Sequence, residues 1–297
     1  MSKRSNEKLN RAKEAKNDEF YTRYDDVKAE CENYDFSGQV VYCNCDDYKK
    51  SKFFQYFYDN FNAFGLKGLI SSAINGNAAK YDGKTMQTFA LKNGSFDSDE
   101  TAEFLKECDV VVTNPPFSLL RKFIDVIKSS GKKFLFIAPQ VHIANRGGSN
   151  NLCNEVYWLG YTKASIFDTP NGDISGVNTY WFTNMKTENF PKYKPPKRTV
   201  PVPADIENET CDLDLFPDGF PETALFLERL QNFPYDYDGY ILAPISIWEK
   251  YRPHAKADEP SNNWVNLYGK YKIYGLVRPT INGRDKFARY LIKKVEE

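Results

Sequence analysis

The run Asp109-Val110-Val111-Val112-Thr113-Asn114-Pro115-Pro116-Phe117, followed by Ser118 to Lys128, decides the fold. Asp109 to Thr113 is a short, β-branched-rich run of the kind that forms a buried strand. Leu119, Leu120, Phe123, Ile124 and Ile127 then recur at helical spacing. The tetrad Asn114-Pro115-Pro116-Phe117 therefore lies at a strand's carboxyl end, where open α/β sheets bind their ligands. Its prolines fix φ and donate no hydrogen bonds, so the turn is stiff and its carbonyls point outward as acceptors. A planar group bearing an NH₂ could donate to the Asn114 oxygen and the Pro115 carbonyl while Phe117 stacks on its ring. Taken alone the tetrad is also a plain turn; its place between strand and helix favours a site.

Working outward, Gln39 to Cys43, Leu66 to Ser72, Thr88 to Leu91 and Phe134 to Ala138 read as further strands. Helices are predicted from Thr22 through Tyr34, through the stripe Phe53, Phe54, Phe57 and Phe61, and after Asn93-Gly94-Ser95-Phe96. Asp97 and Glu100 are spaced as a capping box, Ser118 is placed to cap the next helix, and Gly131 to close it. Alternating strands and helices with short connections predict a doubly wound, Rossmann-like parallel α/β sheet. From Gln140 the pattern changes. Gly147 to Asn151 reads as a loop, and Thr162 to Asp168 with Asn178 to Thr183 as antiparallel partners around Pro170-Asn171-Gly172-Asp173. Strand character returns at Tyr240 to Pro244 and Ile273 to Arg278, within an otherwise irregular C-terminal region.

The 297 residues suffice for one large domain with an appendage. We expect a basic arm over 1–17, a catalytic domain over 18–185 and a target-reading region over 186–297. Forty basic and forty acidic side chains cancel, so any nucleic-acid surface must be a local patch. Two such patches stand out: the arm with Lys3, Arg4, Lys8, Arg11, Lys13 and Lys16, and the proline-rich connector with Lys192, Lys194, Lys197 and Arg198. Six scattered cysteines form no Cys-x-x-Cys pair and only two histidines accompany them, so no metal is expected. The polar N-terminus and the lack of a membrane-length apolar run predict a soluble, cytoplasmic protein.

The tetrad resembles the motif of amino-group methyltransferases, chiefly those acting on N6 of adenine. Further blocks extend the resemblance to the EcoRI-type adenine-specific DNA methyltransferase family: Asp18 to Thr22, Val40 to Asp47, Val110 to Leu119, Lys133 to Ala138, Trp181-Thr183-Asn184, and Tyr237-Gly239-Pro244-Ile245. It spans nearly the whole chain and is densest from Asp18 to Ala138. No Gly-x-Gly follows the first strand, where Cys43-Asn44-Cys45-Asp46-Asp47 stands instead. The resemblance implies S-adenosylmethionine as methyl donor, with Phe20, Tyr21, Cys43, Asn44, Cys45 and Asp46 on its methionine side. Ser71 and Ser72 would lie near its ribose or adenine, and Ser95 and Phe96 beside its adenine; relatives often carry an acidic residue where Ser95 stands. Asn114, Pro115, Pro116 and Phe117 would hold a flipped adenine. The implied partner is double-stranded DNA, without membrane or metal, the working unit a monomer, and a cognate restriction endonuclease is compatible. Two other readings keep the same residues: transfer to RNA adenine or a protein glutamine amide, and an inert DNA-binding decoy.

Overall fold

A computed structural model describes residues 21–153, 156–168, 174–185, 203–208, 219–234, 237–250 and 271–294. The basic arm, Phe20, the Pro170 to Asp173 turn and the connector with Lys192, Lys194, Lys197 and Arg198 lie outside the described residues. Two compact units emerge, one made of 1–140 and 160–188, the other of 141–159 and 189–297.

The first unit begins with β1 (Tyr21–Thr22), α1 (Tyr24–Cys31), β2 (Val40–Asn44), α2 (Lys52–Asp59), a short α3 (Phe61–Phe64) and β3 (Gly68–Ser72). It continues through β4 (Asn77–Tyr81), β5 (Met86–Ala90), α4 (Asp99–Glu107), β6 (Val110–Thr113), α5 (Leu120–Ser130) and β7 (Lys133–Pro139). Four strands pair in parallel in the order β3-β2-β6-β7. The first strand in sequence thus sits between the second and third, and its junction with β6 is the topological switch point where such sheets bind ligands. Antiparallel strands flank this core: β4 and β5 beyond β3, and a later strand, Thr179–Thr183, beside β7. Packed on the sheet is a buried aromatic cluster that includes Phe36, Phe53, Phe57, Phe167 and Trp181. Full burial of such side chains contributes about 1.5–3 kcal/mol each.

Several expectations give way to tertiary context. The segment Thr88 to Leu91 is part of an exposed antiparallel edge strand, paired to a strand at Asn77–Tyr81 that the sequence did not announce. The phenylalanine stripe breaks at Asn60, so Phe61 opens a second short helix. Ser98, not Asp97, caps α4 by accepting from the Thr101 N–H, and Glu100 reaches back to the Lys92 and Asn93 N–H groups. Ser118 is not at a cap position, because Phe117–Leu119 forms a 3₁₀ turn and α5 starts at Leu120 with Leu119 before it. Gly131, at φ 66, closes that helix as expected.

In the rest of this unit β9 (Ile166–Asp168) pairs antiparallel with both β1 and β10 (Ile174–Gly176). Thr179–Thr183, expected opposite Thr162 to Asp168, instead completes the central sheet as β11. Glu30, fully buried on α1, fixes this arrangement. Its carboxylate accepts from Tyr34 Oη (2.6 Å), the Tyr161 N–H (2.8 Å), the Thr162 N–H (2.6 Å) and Thr162 Oγ1 (2.7 Å). Only glycine fits at 160, where a Cβ would fall 2.1 Å from Glu30 Oε1.

The second unit contains α6 (Arg146–Cys153), so the expected Gly147 to Asn151 loop is helical, and β8 (Trp158–Leu159). It also holds β12 (Ala204–Asp205), β13 (Glu207–Asn208), β14 (Thr223–Phe226), β15 (Tyr240–Pro244) and α7 (Ile247–Lys250), then β16 (Tyr271–Val277), β17 (Pro279–Ile281), β18 (Arg284–Asp285) and β19 (Arg289–Lys294). A five-stranded sheet runs β12-β14-β15-β19-β16, with a three-stranded one, β13-β17-β18. Tyr290 Oη anchors the first to the Ile143 carbonyl at 2.9 Å, while Leu242, Leu291 and Val277 pack with Ile206 and Ile281. No described helix is long and apolar enough to cross a membrane.

Glu30→Ala would strand buried N–H and O–H donors on two loops. We expect it to lower the free energy of unfolding by about 2–4 kcal/mol, with Glu30→Gln costing less; urea denaturation of both variants checks this.

Candidate functional site

At the carboxyl ends of β2, β3 and β6 the first unit opens into a cavity of about 250 Å³. Its wall draws on four loops: Tyr21 and Thr22; Cys45 to Phe53; Ala73 to Asn75 with Gly94 to Phe96; and Asn114 to Pro116 with Leu119. Of the expected site residues, Tyr21, Cys45, Asp46, Ser95, Phe96, Asn114, Pro115 and Pro116 line it. Cys43, Asn44, Ser71 and Ser72 are buried beneath it and do not. Phe117 is half-buried and sits edge-on to Phe167 with centroids 6.5 Å apart. Phe20 lies outside the described residues.

The floor is organised by Asp46. Chain direction reverses at Cys45, whose φ of 82° lies in the left-handed region that favours glycine. Cysteine thus makes the turn that Gly-x-Gly makes in other nucleotide-binding sheets. Asp46 then donates its N–H to the Ser72 carbonyl (2.8 Å), and the Ser71 hydroxyl donates to the Asp46 carbonyl. One carboxylate oxygen accepts from Ser51 Oγ (2.7 Å), itself the cap of α2. The other accepts from Thr113 Oγ1 (2.5 Å), which also contacts the Asn44 carbonyl. The Asn114 backbone N–H donates to the same carboxylate. Burial pushes the Asp46 carboxyl up to about 6, and the bonds from Thr113, Ser51 and Asn114 restrain the rise. The buried serines 71 and 72 thus brace the floor from below, Ser72 also bonding Tyr42 at 2.6 Å.

Asp47 is the second carboxylate. Partial burial raises it, but hydrogen bonds from Asn75, the Lys49 N–H and Asn77 outweigh this and hold it below the usual range. It is therefore ionised at neutral pH. Phe96, Ile74 and Leu119 also line the cavity, the latter two 67% and 47% exposed, so it presents apolar surface as well. Thr22, only 4% exposed, has a buried hydroxyl with no partner among the described residues. Gly94 approaches so closely that a Cβ would lie 1.9 Å from the Ala73 carbonyl oxygen. The cavity thus offers carboxylates, apolar surface and a buried hydroxyl without a partner among the described residues. That donor set fits a ligand with a cationic end and a flat apolar end.

Sequence reasoning missed Thr113, Ser51, Asn75, Ile74 and Leu119. Ser51 had a signal, as a serine directly before the phenylalanine stripe. Thr113 had none, because only strand pairing brings it within reach of Asp46.

Gly94→Ala should push the Asn93 to Phe96 turn off the β3–β4 connection, costing about 1–3 kcal/mol by overpacking and weakening ligand binding, both readable by thermal melts with and without ligand. A second expectation concerns pH. Asp46 keeps its proton in the folded state to about 6, above its ordinary 3.8, so between those values the folded chain binds more protons than the unfolded one. Its contribution to stability is therefore largest below pH 4 and is lost as pH rises through 6. Glu30, raised chiefly by burial, acts in the same sense. Asp46→Asn should flatten this fall without abolishing it, as urea melts across the window would record.

The profile of a family described as "Adenine-specific methyltransferase EcoRI" matches residues 8–90 and 75–294. The Type II methyltransferase M.MgeORF184P of Mycoplasma genitalium is 32% identical over 325 aligned positions, covering 96% of this chain and 98% of its own length. M.MpnI of Mycoplasma pneumoniae is 34% identical over 323 positions, with the same coverage. M.EcoRI of Escherichia coli is 33% identical over 295 positions, covering 84% of this chain and 87% of its own length. No solved structure matches the chain significantly. With both motif blocks and sequence agreement running nearly end to end, the chain belongs to the EcoRI-type family of adenine-specific methyltransferases.

Proposed function

We propose that the chain is an S-adenosylmethionine-dependent, site-specific methyltransferase acting on N6 of adenine in duplex DNA, with the target base swung out of the stack, as part of type II protective methylation. The observation that carries this reading is the hydrogen bond from the Asn114 backbone N–H to Asp46. It ties the Asn-Pro-Pro turn to the floor of the cavity, so that a target amine and a methyl donor would meet over one carboxylate.

The lone pair of an exocyclic amine is delocalised into its ring, so the site must draw the nitrogen toward tetrahedral geometry. Asn114 Oδ1 and the Pro115 carbonyl would accept its two N–H bonds and aim the lone pair into the cavity. The rate enhancement then comes from orientation and electrostatic preorganisation rather than from a strong base. S-adenosylmethionine supplies an electrophilic methyl group when bound. Among the lining residues, Asp46 and Asp47 would supply negative charge for the donor's cationic end, and Ile74, Phe96 and Leu119 would offer apolar surface to its flat ring. Thr22, whose buried hydroxyl has no partner among the described residues, would be available to a polar group of the donor.

Taking a base out of the helix costs a few kcal/mol of unstacking, which Phe117 would offset by stacking. The connector with Lys192, Lys194, Lys197 and Arg198 would add sequence-independent phosphate contacts, and the region from 186 to 297 would read the target.

Asn114→Ala is expected to abolish methyl transfer while leaving donor binding within a few-fold of the parent. Calorimetry with the donor, together with sequencing of modified adenines in DNA from cells expressing each form, checks both halves. Near-parental methylation by Asn114→Ala would overturn the assignment, and failure of the parent protein to bind the donor would overturn the enzyme reading.

A further inference from the structure

In the second unit, one end of the five-stranded sheet carries an electrostatic arrangement that the fold itself does not need. Tyr240 of β15 pairs in register with Lys293 of β19, and Lys293 pairs on its other side with Lys272 of the edge strand β16. All three side chains therefore share one sheet face, the face that carries Leu242 and Leu291 two residues along the same strands. Tyr274, the residue at the register shift between Ile273 and Gly275, places its ring 5.7 Å from that of Tyr240. Lys272 Nζ lies 5.0 Å from the Tyr274 ring centre and Lys293 Nζ lies 4.8 Å from that of Tyr240.

Two lysines directly opposite one another on neighbouring strands repel and destabilise the sheet. Neither forms an ion pair among the described residues. Asp238, the carboxylate nearest in sequence to Tyr240, is committed to Lys294 at 2.9 Å, whose side chain projects from the opposite face of β19. The tyrosine rings hold the two ammonium groups in place through their negative faces without neutralising them. The result is a pair of fixed, half-buried positive charges with no ion-pair partner among the described residues, held against two aromatic rings in a chain whose net charge is zero.

We infer that Lys272, Lys293, Tyr240 and Tyr274 form a phosphate-contacting patch that grips the backbone of duplex DNA. This rests on the reading of the chain as a DNA methyltransferase, and deepens it by placing a grip in the folded C-terminal unit as well as in the connector. A polyanion is the fitting occupant because two cations fixed on adjacent strands, about 5 Å apart, can each neutralise a different phosphate. A neutral overall charge makes such local patches the only source of backbone attraction.

The test is the salt dependence of binding of the full-length chain to a fluorescently labelled duplex of scrambled sequence. Each phosphate contact adds roughly 0.9 to the slope of log affinity against log salt. Lys272→Gln/Lys293→Gln should reduce that slope by nearly two, so that a fourfold rise in salt costs the parent about tenfold more affinity than the variant. Donor binding should stay unchanged. Lys293→Glu gives an independent readout: it converts the repulsive cross-strand pair into an attractive one, so its melting temperature should hold or rise while DNA binding weakens. A purely structural role would give the reverse. If the parent binds the duplex and both variants keep its slope, the patch is overturned while the methyltransferase reading stands. If the parent does not bind duplex at all, both fall together.

Discussion

A single buried carboxylate holds the site of this protein in register. Asp46 gathers the cap of α2, the hydroxyl at the end of β6 and the backbone of Asn114, while its own main chain is pinned to β3. Three strand ends and one helix start thus converge on one residue. A charge taken out of water must be compensated by directed hydrogen bonds, and those bonds can be made only if the strands end at matching heights. The requirement that satisfies the carboxylate also aligns the turn proposed to hold a target amine. Stability and geometry are set by the same contacts.

Strain and close approach concentrate around the same point. Cys45 adopts a left-handed backbone that non-glycine residues avoid, and Gly94 comes so near Ala73 that no side chain would fit. Such features persist when surrounding structure over-determines them, and they cluster at functional sites. Glu30 acts as a counterpart at a distance. By holding Tyr161 and Thr162 it sets the hairpin of β9 and β10 against β1, whose Thr22 reaches the cavity wall. Two buried carboxylates, each satisfied almost entirely by neutral donors, thus position two sides of one pocket.

The C-terminal unit follows a different logic. Its sheet buries Tyr290 and Ile292 on one side and Leu242 and Leu291 on the other, an ordinary packing arrangement. The paired lysines at its end are not ordinary, because sheet pairing alone disfavours them. The contrast between a carboxylate fully met by hydrogen bonds in one unit and paired lysines without an ion-pair partner among the described residues in the other is the physical basis of the inferred binding role.

Sequence by itself determined the parallel core. Strands at Val40–Asn44, Gly68–Ser72, Val110–Thr113 and Lys133–Pro139, and the turn at Asn114, were legible because buried strands read as short apolar runs and proline pairs stop them abruptly. Family membership was legible for the same reason: its motif blocks lie on these strand ends. The antiparallel flanks were not. An exposed edge strand such as Met86–Ala90 carries little hydrophobic signal, and the partner of Thr179–Thr183 depended on which open edge was available. Capping at Ser98 rather than Asp97, and helix at Arg146–Cys153 in a glycine- and asparagine-rich stretch, were likewise decided by neighbours. Within the site, the sequence supplied Asp46 and Asn114 as separate features. Only the tertiary structure joined them, because a hydrogen bond across 68 positions exists only after two parallel strands have paired.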